Sequence, residues 1–298
     1  MLTQRMTETL SIIGAGRVGR ALGRLLHDLG WRIRTVANRT LTTARASVRM
    51  IGAGHPAGQL TRQVLDSAVI LISTPDNVVE RVAKGLAEIG GEEWRGKIVL
   101  HTSGATDSSV LKPLADLGAA TGSIHPMQTF NHQRPPELTG RIFGIEGGPA
   151  AMKVARKMIR QLGGVGVCLA GANKAAYHAA GSFACAHVLA LMETATRILM
   201  AQGFTRRQAV RALMPLTRQT LDNFESIGPR AAWTGPVARG DFSTVRRHVK
   251  AMSDFPKEYL NAYEALCRLS GTVLSGEPVA TLRHLEREFD RGPERTKK

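Results

Sequence analysis

The feature that most constrains the fold of this chain is a glycine pattern near its N-terminus. Gly14-Ala-Gly16-Arg-Val-Gly19 directly follows a short apolar run, residues 10–13, and opens a stretch of helical periodicity over residues 18–29. In such a turn the first glycine permits the tight bend, the second lets a pyrophosphate approach the backbone, and the third lets the helix pack on the strand. Strand, glycine turn and helix in this order predict a dinucleotide-binding unit rather than a glycine-rich turn without a ligand. The expected pyrophosphate contacts are Gly14, Gly16, Arg17, Val18 and Gly19.

The rest of the first half repeats this alternation of apolar runs and helical stretches. Strands are predicted at residues 10–13, 32–37, 68–73, 97–101, 120–124, 142–146 and 165–169. A turn that contains Gly and Pro is expected over residues 52–58. Strands separated by helices are typical of a doubly wound, mostly parallel sheet, so an α/β Rossmann domain is predicted for residues 1–170.

The pattern changes after residue 170. Residues 171–298 contain long helical runs interrupted by glycine and proline, which predicts an all-α second domain. The most apolar stretch covers residues 170–200 and contains Lys174, His178, His187 and Glu193. Because a bilayer tolerates such side chains poorly, this stretch is predicted to be a buried helix of a protein that does not enter a membrane.

Composition narrows the possible partners. The formal net charge is +16, but the basic residues are scattered and aromatic residues make up only 5% of the chain. This pattern argues against nucleic-acid binding and favours the attraction of small anions. The three cysteines have no metal-ligand spacing and lie in apolar surroundings, so buried thiols and no metal site are expected. The cysteine usage and the absence of a charged-then-apolar leader predict a cytoplasmic protein.

The end of the second predicted strand indicates which dinucleotide fits. An Asp or Glu at this place would bind the ribose 2′-hydroxyl of NAD, but the chain has Asn38-Arg39-Thr40. Arg39 can pair with a 2′-phosphate, and Asn38 and Thr40 can donate hydrogen bonds to it, so NADP is the predicted cofactor. A solvated surface arginine is the alternative interpretation of Arg39.

Two further strand ends lie at the same predicted edge of the sheet. Thr74-Pro75 follows the third strand, and His101-Thr-Ser103-Gly104 ends the fourth. Thr74 and Pro75 are expected to border a cofactor ribose. Ser103 and Gly104 are expected to let the nicotinamide or a substrate come close. Ordinary turn chemistry is the alternative for both segments.

Hydride transfer to a carbonyl or imine needs a proton donor and groups that hold the substrate. Lys174, His178 and Ser182 recur at helical spacing, hence on one face of the helix after the predicted boundary. Lys174 is the first candidate for the proton donor, with a pKa lowered by burial, and Ser182 is a candidate substrate contact. A lysine that extends to solvent near the start of its helix is the alternative.

Two other segments offer candidate side chains. His125 follows a strand in Gly122-Ser-Ile-His125-Pro-Met-Gln-Thr-Phe130, where it can act as an acid or base, or simply stabilise the loop. Thr234 and Gly235 belong to a glycine- and proline-containing turn over residues 233–241 and are candidate substrate contacts. That turn can close over a cleft, contact a partner subunit, or only connect two helices.

These motifs together resemble one bacterial two-domain family. The resemblance extends over nearly the whole chain and is carried by residues 14–19, 101–104 and 122–130, by Lys174 with Tyr177-His178, and by residues 234–241. The family joins a Rossmann-like domain, similar to that of deazaflavin-dependent NADP reductases, to a helical C-terminal domain of unknown function. Its wider relatives include ketopantoate reductases, pyrroline-5-carboxylate reductases, prephenate dehydrogenases and 6-phosphogluconate-type dehydrogenases.

The resemblance implies roles for individual residues. In several relatives a lysine early in the first helix after the Rossmann domain is catalytic, and Lys174 matches that place. Prephenate dehydrogenases carry a catalytic histidine in a loop similar to His125-Pro126. Related helical domains dimerise, so a homodimer is implied. One position departs from the family, because Ala186 stands where many members have an asparagine.

The sequence thus supports two function hypotheses. The first is an NADP-dependent oxidoreductase that uses NADPH to reduce a small oxo-acid or imino-acid, ketopantoate among them. In this hypothesis Lys174 donates the proton, and His178 or His125 assists. The second is a non-catalytic NADP-binding sensor or partner-binding dimer, which the replacement at Ala186 would fit.

Overall fold

The structure, a computed structural model, describes residues 8–131, 134–169 and 173–290 of the 298-residue chain. It forms two compact units, Met1–Ala186 and His187–Lys298. The predicted domain boundary between residues 170 and 171 lies outside the described residues. The helix after that boundary belongs to the first unit, because Lys174 and Tyr177 bond to side chains of the sheet. The second unit therefore begins later in the chain than the sequence predicts.

A single sheet organises the described part of the first unit. Its strands are β1 Thr9–Ile13, β2 Arg32–Ala37, β3 His55–Ala57, β4 Val69–Ile72, β5 Ile98–His101, β6 Ala120–Pro126, β7 Ile142–Gly147 and β8 Val165–Cys168. They lie in the order β3-β2-β1-β4-β5-β6-β7-β8. Neighbouring strands are parallel except for β6 and β7, which run antiparallel. The predicted doubly wound, mostly parallel sheet is confirmed.

Helices cover both faces of the sheet; all of them except the last connect successive strands. They are α1 Arg17–Asp28, α2 Leu41–Ile51, α3 Asp76–Gly90, α4 Lys112–Ala115, α5 Pro149–Gln161 and α6 Lys174–Ser182. Successive strand residues point to opposite faces, so Val69 and Leu71 of β4 pack in one hydrophobic cluster and Ile70 and Ile72 in another. The strand order reverses between β1 and β4, and ligands of such sheets bind at the carboxyl ends of the strands at this point.

The seven predicted strands are present, with ends that differ by one or two residues at most. The structure also has an eighth strand that the sequence does not predict: β3 lies within the segment predicted as a turn over residues 52–58. Three residues with Pro56 in the middle give no alternating pattern. Proline is tolerated in β3 because this strand lies at the edge of the sheet, where a missing N–H interrupts no central ladder.

The second unit is helical in its described residues, as predicted. Its helices are α7 Val188–Ala201, α8 Arg206–Ile227, α9 Pro229–Ala232, α10 Phe242–Met252, α11 Lys257–Val273 and α12 Pro278–Asp290. Helices α10, α11 and α12 enclose a small core, which consists of Val245, Val249, Cys267, Leu285 and Phe289. Helix α8 starts at a capping box in which Thr205 and Gln208 satisfy each other's backbone N–H groups.

A π-helical turn, Phe183–His187, connects α6 to α7. The sequence predicts a buried helix over residues 170–200, and this is wrong for most of its length in the single chain: Phe183 is 61% exposed and Leu189 is 68% exposed. Within the described part of the chain, Lys174–Ala201 is long and apolar enough to cross a bilayer, a test that core helices of globular proteins also pass. The apolar composition of this segment predicts a helix, but it does not predict which residues pack against that helix.

Candidate functional site

The loop after β1 has the backbone shape that its three glycines suggest. Gly14 has a φ of +76°, and a Cβ there would lie 2.4 Å from Thr74 Cγ2, so both conformation and space exclude other residues. A Cβ at Gly19 would lie 3.0 Å from Ser73 Cβ, which brings α1 close to the end of β4. At Gly16, the Gly14 carbonyl at 3.9 Å is the one described group that an added Cβ would approach within 4 Å. The middle of the loop is therefore open to a ligand.

Side-chain hydrogen bonds fix this loop from three directions. The N–H of Ala15 donates to Asn38 Oδ1 at 2.7 Å. Its carbonyl accepts from Arg20 Nε at 2.9 Å and from Ser47 Oγ at 3.0 Å. Asn38 Nδ2 also donates to Ser47 Oγ at 2.9 Å. Asn38, predicted as a phosphate donor, thus ties the glycine loop to α2, and sequence reasoning missed the contributions of Arg20 and Ser47.

Arg39 and Thr40 lie between β2 and α2. The Thr40 hydroxyl accepts the Thr43 N–H at 3.2 Å and so caps α2, while Arg39 is exposed. Neither α1 nor α2 has an acidic residue in its first turn. The N-terminus of a helix carries a partial positive charge, and Arg39 adds a full one. This end of the site can therefore hold phosphate groups.

Two cavities of the first unit meet at a pair of histidines. The first, of about 320 Å³, extends from the glycine loop past the ends of β4 and β5 to His125 and His178. Its described lining includes Gly16, Arg17, Val18, Thr74, Pro75 and Gly104. The second, of about 350 Å³, shares both histidines and continues along α6 to Ser182 and Ala186. The two cavities join the dinucleotide loop to a space bordered by imidazoles.

His125 and His178 are held edge to face, with ring centroids 5.7 Å apart. His125 Nδ1 lies 3.0 Å from the hydroxyl of Tyr177, which belongs to the same helix as His178. A Cβ at Gly104 would lie 2.6 Å from His125 Nε2 and 2.7 Å from His178 Cδ2. The bare backbone of Gly104 therefore fills the gap between the two rings.

The surroundings of His125 favour its neutral form. Burial lowers its pKa to about 4, and the closeness of the His178 ring and the Lys174 amino group acts in the same direction. When the Tyr177 hydroxyl donates to Nδ1, the ring keeps its proton on Nε2, the nitrogen nearest Gly104. At neutral pH this arrangement offers a hydrogen-bond donor to the cavity rather than a charged imidazolium.

Lys174, the first residue of α6, is 3% exposed. Its Nζ donates to the Ser103 carbonyl at 2.9 Å and to Ser123 Oγ at 2.6 Å. Glu146 Oε1 lies 3.6 Å from the same Nζ. Burial lowers the pKa of Lys174, and the charge of Glu146 opposes this shift. Lys174 is not among the described residues that line either cavity.

The turn after β5 is fixed through Ser103. Its N–H donates to His101 Nδ1 at 3.1 Å, and its Oγ accepts the N–H groups of Ala105 and Thr106 at 3.2 and 3.0 Å. Burial, with a smaller contribution from the charge of Lys174, lowers the pKa of His101 to about 3. The buried hydroxyl of Ser103 is therefore used within its own turn, and Gly104 is the part of this segment that borders the cavity.

The remaining predicted substrate contacts fall into two groups. Ser182 lines the second cavity and donates to the His178 carbonyl at 3.3 Å. Thr234 and Gly235 lie in the second unit, in the connection between α9 and α10. The structure thus places Ser182 beside the two histidines. Thr234 and Gly235 are placed only relative to other residues of the second unit.

Sequence reasoning missed two groups beneath the cavity, Ser123 and Glu146. Both lie on strands, and the antiparallel pairing of β6 with β7 sets them directly opposite each other. A carboxylate near the end of the apolar run Ile142–Gly147 is a signal that was available, because buried strands rarely carry an acid without a partner.

The three cysteines differ in their exposure to solvent. Cys267 is buried, Cys185 is partly buried and Cys168 is exposed, so the expectation of buried thiols is wrong for Cys168. It lies on β8 at the edge of the sheet, where few residues cover it. Among the described residues, no three His, Cys, Asp or Glu side chains are grouped so that they could hold a metal ion.

Three solved structures share the fold over most of the chain. A Bacteroides fragilis protein, provisionally named an NADP oxidoreductase, is 22% identical with a TM-score of 0.72, and 88% of this chain and 97% of that chain are covered. An imine reductase from Myxococcus stipitatus, solved with NADP⁺, is 17% identical with a TM-score of 0.63 and 95% of each chain covered. A reductive aminase from Aspergillus terreus, solved with NADPH and ethyl-5-oxohexanoate, is 18% identical with a TM-score of 0.60, and 96% and 94% are covered. At these identities the likeness establishes the fold.

Comparison with curated protein sequences finds no match, but two family matches divide the chain. Residues 3–126 match the Rossmann-like domain family, and residues 141–269 match DUF2520, a domain of unknown function. The second match begins at β7, so it includes the last strands of the sheet as well as much of the helical unit. The chain is therefore similar to the Rossmann-like domain family over residues 3–126 and to DUF2520 over residues 141–269, the combination that its motifs predict.

Proposed function

We propose that this chain is an NADP-dependent oxidoreductase that reduces a carbon–nitrogen or carbon–oxygen double bond in a small anionic substrate. The observation that carries this proposal is the cavity that extends from the glycine loop to His125 and His178. The glycine turn and the two histidines border this one space, an arrangement that is suited to hydride transfer from a bound dinucleotide. The named activities of the three structural relatives support the same chemistry.

Three observations fit NADP to this loop. The backbone at Gly16 faces open space, where a pyrophosphate can approach. Thr74 Oγ1 is buried beside the loop and makes no hydrogen bond to the described residues, so a polar group is ready for a ligand. Arg39, at the start of α2, offers a cation to the 2′-phosphate. When bound, the nicotinamide supplies the hydride.

His125 and His178 are the side chains proposed at the reacting bond. With a pKa of about 4, His125 is uncharged at neutral pH, so it does not repel a protonated imine and can donate a hydrogen bond to an oxygen of the substrate, either the carbonyl or the carboxylate. Reduction of a carbonyl must also add a proton to oxygen, whereas a protonated imine already carries its proton on nitrogen. The site is therefore better matched to an imino acid than to an oxo acid.

Anion recognition is proposed to come from the basic lining. Arg17 borders the first cavity and can pair with a carboxylate or with the cofactor pyrophosphate. Gly104 permits close approach of the substrate, and Ser182 offers a hydroxyl at the far end. The formal net charge of +16 adds long-range attraction for an anionic substrate.

The second unit is proposed to form a homodimer. Helix α8 exposes large apolar side chains, with Leu216, Phe224 and Ile227 at 66%, 58% and 57% exposure. Exposed apolar side chains that recur at helical spacing, as these do, are typical of subunit interfaces. Light scattering is expected to give the mass of two chains, and Phe224→Glu to give that of one. A native protein that stays monomeric at all concentrations would remove this part of the proposal.

The function is tested by binding and turnover measured separately. NADPH is expected to bind more tightly than NADH and to be consumed with a panel of imino and oxo acids, with the imino acids reacting faster. Failure to bind NADPH would overturn the whole proposal. Tight binding without turnover would instead support the NADP-binding sensor, which is favoured by one observation: Ala186 contributes no polar group to the second cavity.

A further inference from the structure

We propose that Lys174 is a positioning residue, whose buried ammonium group holds the histidine pair and the Gly104 backbone in place, and that it does not donate the proton to the substrate. The inference rests on the proposed oxidoreductase function and concerns the inner end of the same cavity. It replaces the role that the sequence predicts for this lysine.

The ammonium group connects three separate elements of the first unit. It donates to the Ser103 carbonyl in the turn after β5 and to Ser123 Oγ in β6, while the lysine itself begins α6. These contacts join positions that are 71 and 51 residues apart in sequence. Because the side chain is nearly fully buried, water does not compete for these hydrogen bonds.

Each attachment point is next to a residue of the cavity. Ser103 immediately precedes Gly104, and Ser123 is two residues before His125 on the same strand. Lys174 is one helical turn before His178, on the same face of α6. Fixing the three attachment points therefore fixes the three groups that meet at the reacting bond.

The fit between those groups leaves little room for error. A single added carbon at Gly104 would lie within 2.7 Å of both imidazoles. A shift of α6 or of the 103–104 turn by a fraction of an ångström would therefore either open the gap or close it. Displacement of reacting groups by about 1 Å can lower a rate about 100-fold.

Glu146 makes the buried charge tolerable. Its Oε2 accepts from Ser108 Oγ at 2.7 Å, and its Oε1 makes no hydrogen bond to the described residues but faces the ammonium at 3.6 Å. A buried ammonium without a carboxylate would lose its proton or disrupt the fold. The carboxylate of Glu146 therefore favours the charged form of Lys174 and helps to hold its amino group in place.

Access argues against proton donation by Lys174. Its side chain is only 1% exposed, and other residues line both cavities. To reach a substrate, the ammonium would have to leave the Ser103 carbonyl and Ser123 Oγ and move away from Glu146. His125 and His178 already face the cavity without any rearrangement.

A pair of substrates separates the two roles of Lys174. One is an oxo acid, which needs a proton during reduction, and the other is a permanently charged iminium ion, which needs only hydride. For Lys174→Met, positioning predicts a loss in kcat of about 10- to 100-fold that is similar for both substrates. Proton donation predicts a loss of about 100- to 10,000-fold for the oxo acid alone. A loss confined to the oxo acid would overturn the proposal.

Geometry is measured independently of turnover, in the substrate-free protein. A crystal structure of Lys174→Met is expected to show the two imidazoles farther apart than the 5.7 Å between their centroids in the native protein. Unchanged rings and an unchanged Gly104 would overturn the proposal even if activity falls. Because this measurement needs no substrate, it stands or fails separately from the proposed oxidoreductase function.

Two further variants show whether a loss of activity in Lys174→Met results from misfolding. Ser123→Ala removes one acceptor and leaves the ion pair, so it is expected to reduce kcat for both substrates less than Lys174→Met. The double variant is expected to be no worse than Lys174→Met, because the two residues act together. Lys112→Met, which removes an exposed lysine paired with Asp116, is the control and is expected to change neither activity nor ring separation. Additive losses in the double variant would contradict the positioning role.

Discussion

The two ends of the cavity are held by different kinds of interaction. At the glycine end, neutral and single-charge hydrogen bonds from Asn38, Ser47 and Arg20 fix a loop whose middle stays open. At the histidine end, the buried ammonium of Lys174 and the partly buried carboxylate of Glu146 lie next to tightly packed groups. Phosphate binding at the glycine end is therefore expected to depend on few distant parts of the chain. The histidine end depends on several distant elements together, so it is expected to be more sensitive to small changes.

The largest effect is expected for Gly104→Ala. Its methyl group would contact both imidazoles at under 3 Å, so His125 and His178 must move apart. Turnover is expected to fall about 100-fold or more, while NADPH affinity changes less than tenfold. Steady-state kinetics and cofactor titration measure the two. Gly276→Ala, where the added carbon lies more than 4 Å from the other described residues, is the matched control. Retained turnover in Gly104→Ala would show that the histidine end is not tightly fitted.

Arg39→Gln tests the glycine end. Loss of a charge-assisted hydrogen bond to the 2′-phosphate costs about 1.5–3 kcal/mol, or about 10- to 100-fold in NADPH affinity. NADH affinity is expected to stay the same, so the preference between the cofactors shrinks. Fluorescence titration with both cofactors measures it. Arg45→Gln, an exposed arginine later in α2, is the control. An equal loss for NADH would mean that Arg39 does not recognise the 2′-phosphate.

Asn38→Ala separates loop bracing from phosphate recognition. The variant removes the acceptor of the Ala15 N–H and the donor to Ser47 Oγ. Each such hydrogen bond contributes about 1 kcal/mol, so both cofactors are expected to bind about 5- to 30-fold more weakly. Fluorescence titration with NADPH and with NADH measures both affinities. A loss of affinity for NADPH alone would identify Asn38 as a phosphate ligand instead.

The pH dependence of stability tests the burial of the histidines, independently of cofactor binding and turnover. In the folded protein the pKa values of His101 and His125 are lowered from 6.5 to about 3 and about 4. As the pH falls below 6.5, the unfolded chain binds protons that the folded chain excludes, so the free energy of unfolding decreases until the folded pKa values are reached. Thermal unfolding midpoints between pH 7 and pH 4 measure this slope. In His125→Gln the unfolding midpoint is expected to depend less steeply on pH. An unchanged slope would mean that other groups cause the pH dependence.

The contrast between the two ends also explains how much could be predicted. The glycine loop is a contiguous motif in which each residue's role follows from local geometry, and the strands around it show in their apolar runs. The placement of Lys174 and His178 on one helical face was also predictable from spacing. In contrast, the partners of Lys174 come from β5, β6 and β7, and no local pattern brings Ser103, Ser123 and Glu146 together.

Other differences have similarly non-local causes. The strand β3 is too short to show a period and contains Pro56, and only pairing with β2 reveals it. The exposure of Phe183 and Leu189 depends on what packs against the helix rather than on its composition. The exposure of Cys168 follows from the position of β8 at the edge of the sheet, which sequence order alone does not indicate.

The reversed direction of β7 has a consequence for how the site assembles. Because β7 runs antiparallel to β6, Glu146 comes to lie opposite Ser123, inside the sheet rather than at its rim. A desolvated ammonium costs several kcal/mol unless every acceptor is in place, so a wrongly paired β7 or a misdocked α6 is heavily penalised. The ion pair is therefore expected to add little net stability, while arrangements that separate Lys174 from Glu146 are expected to be disfavoured.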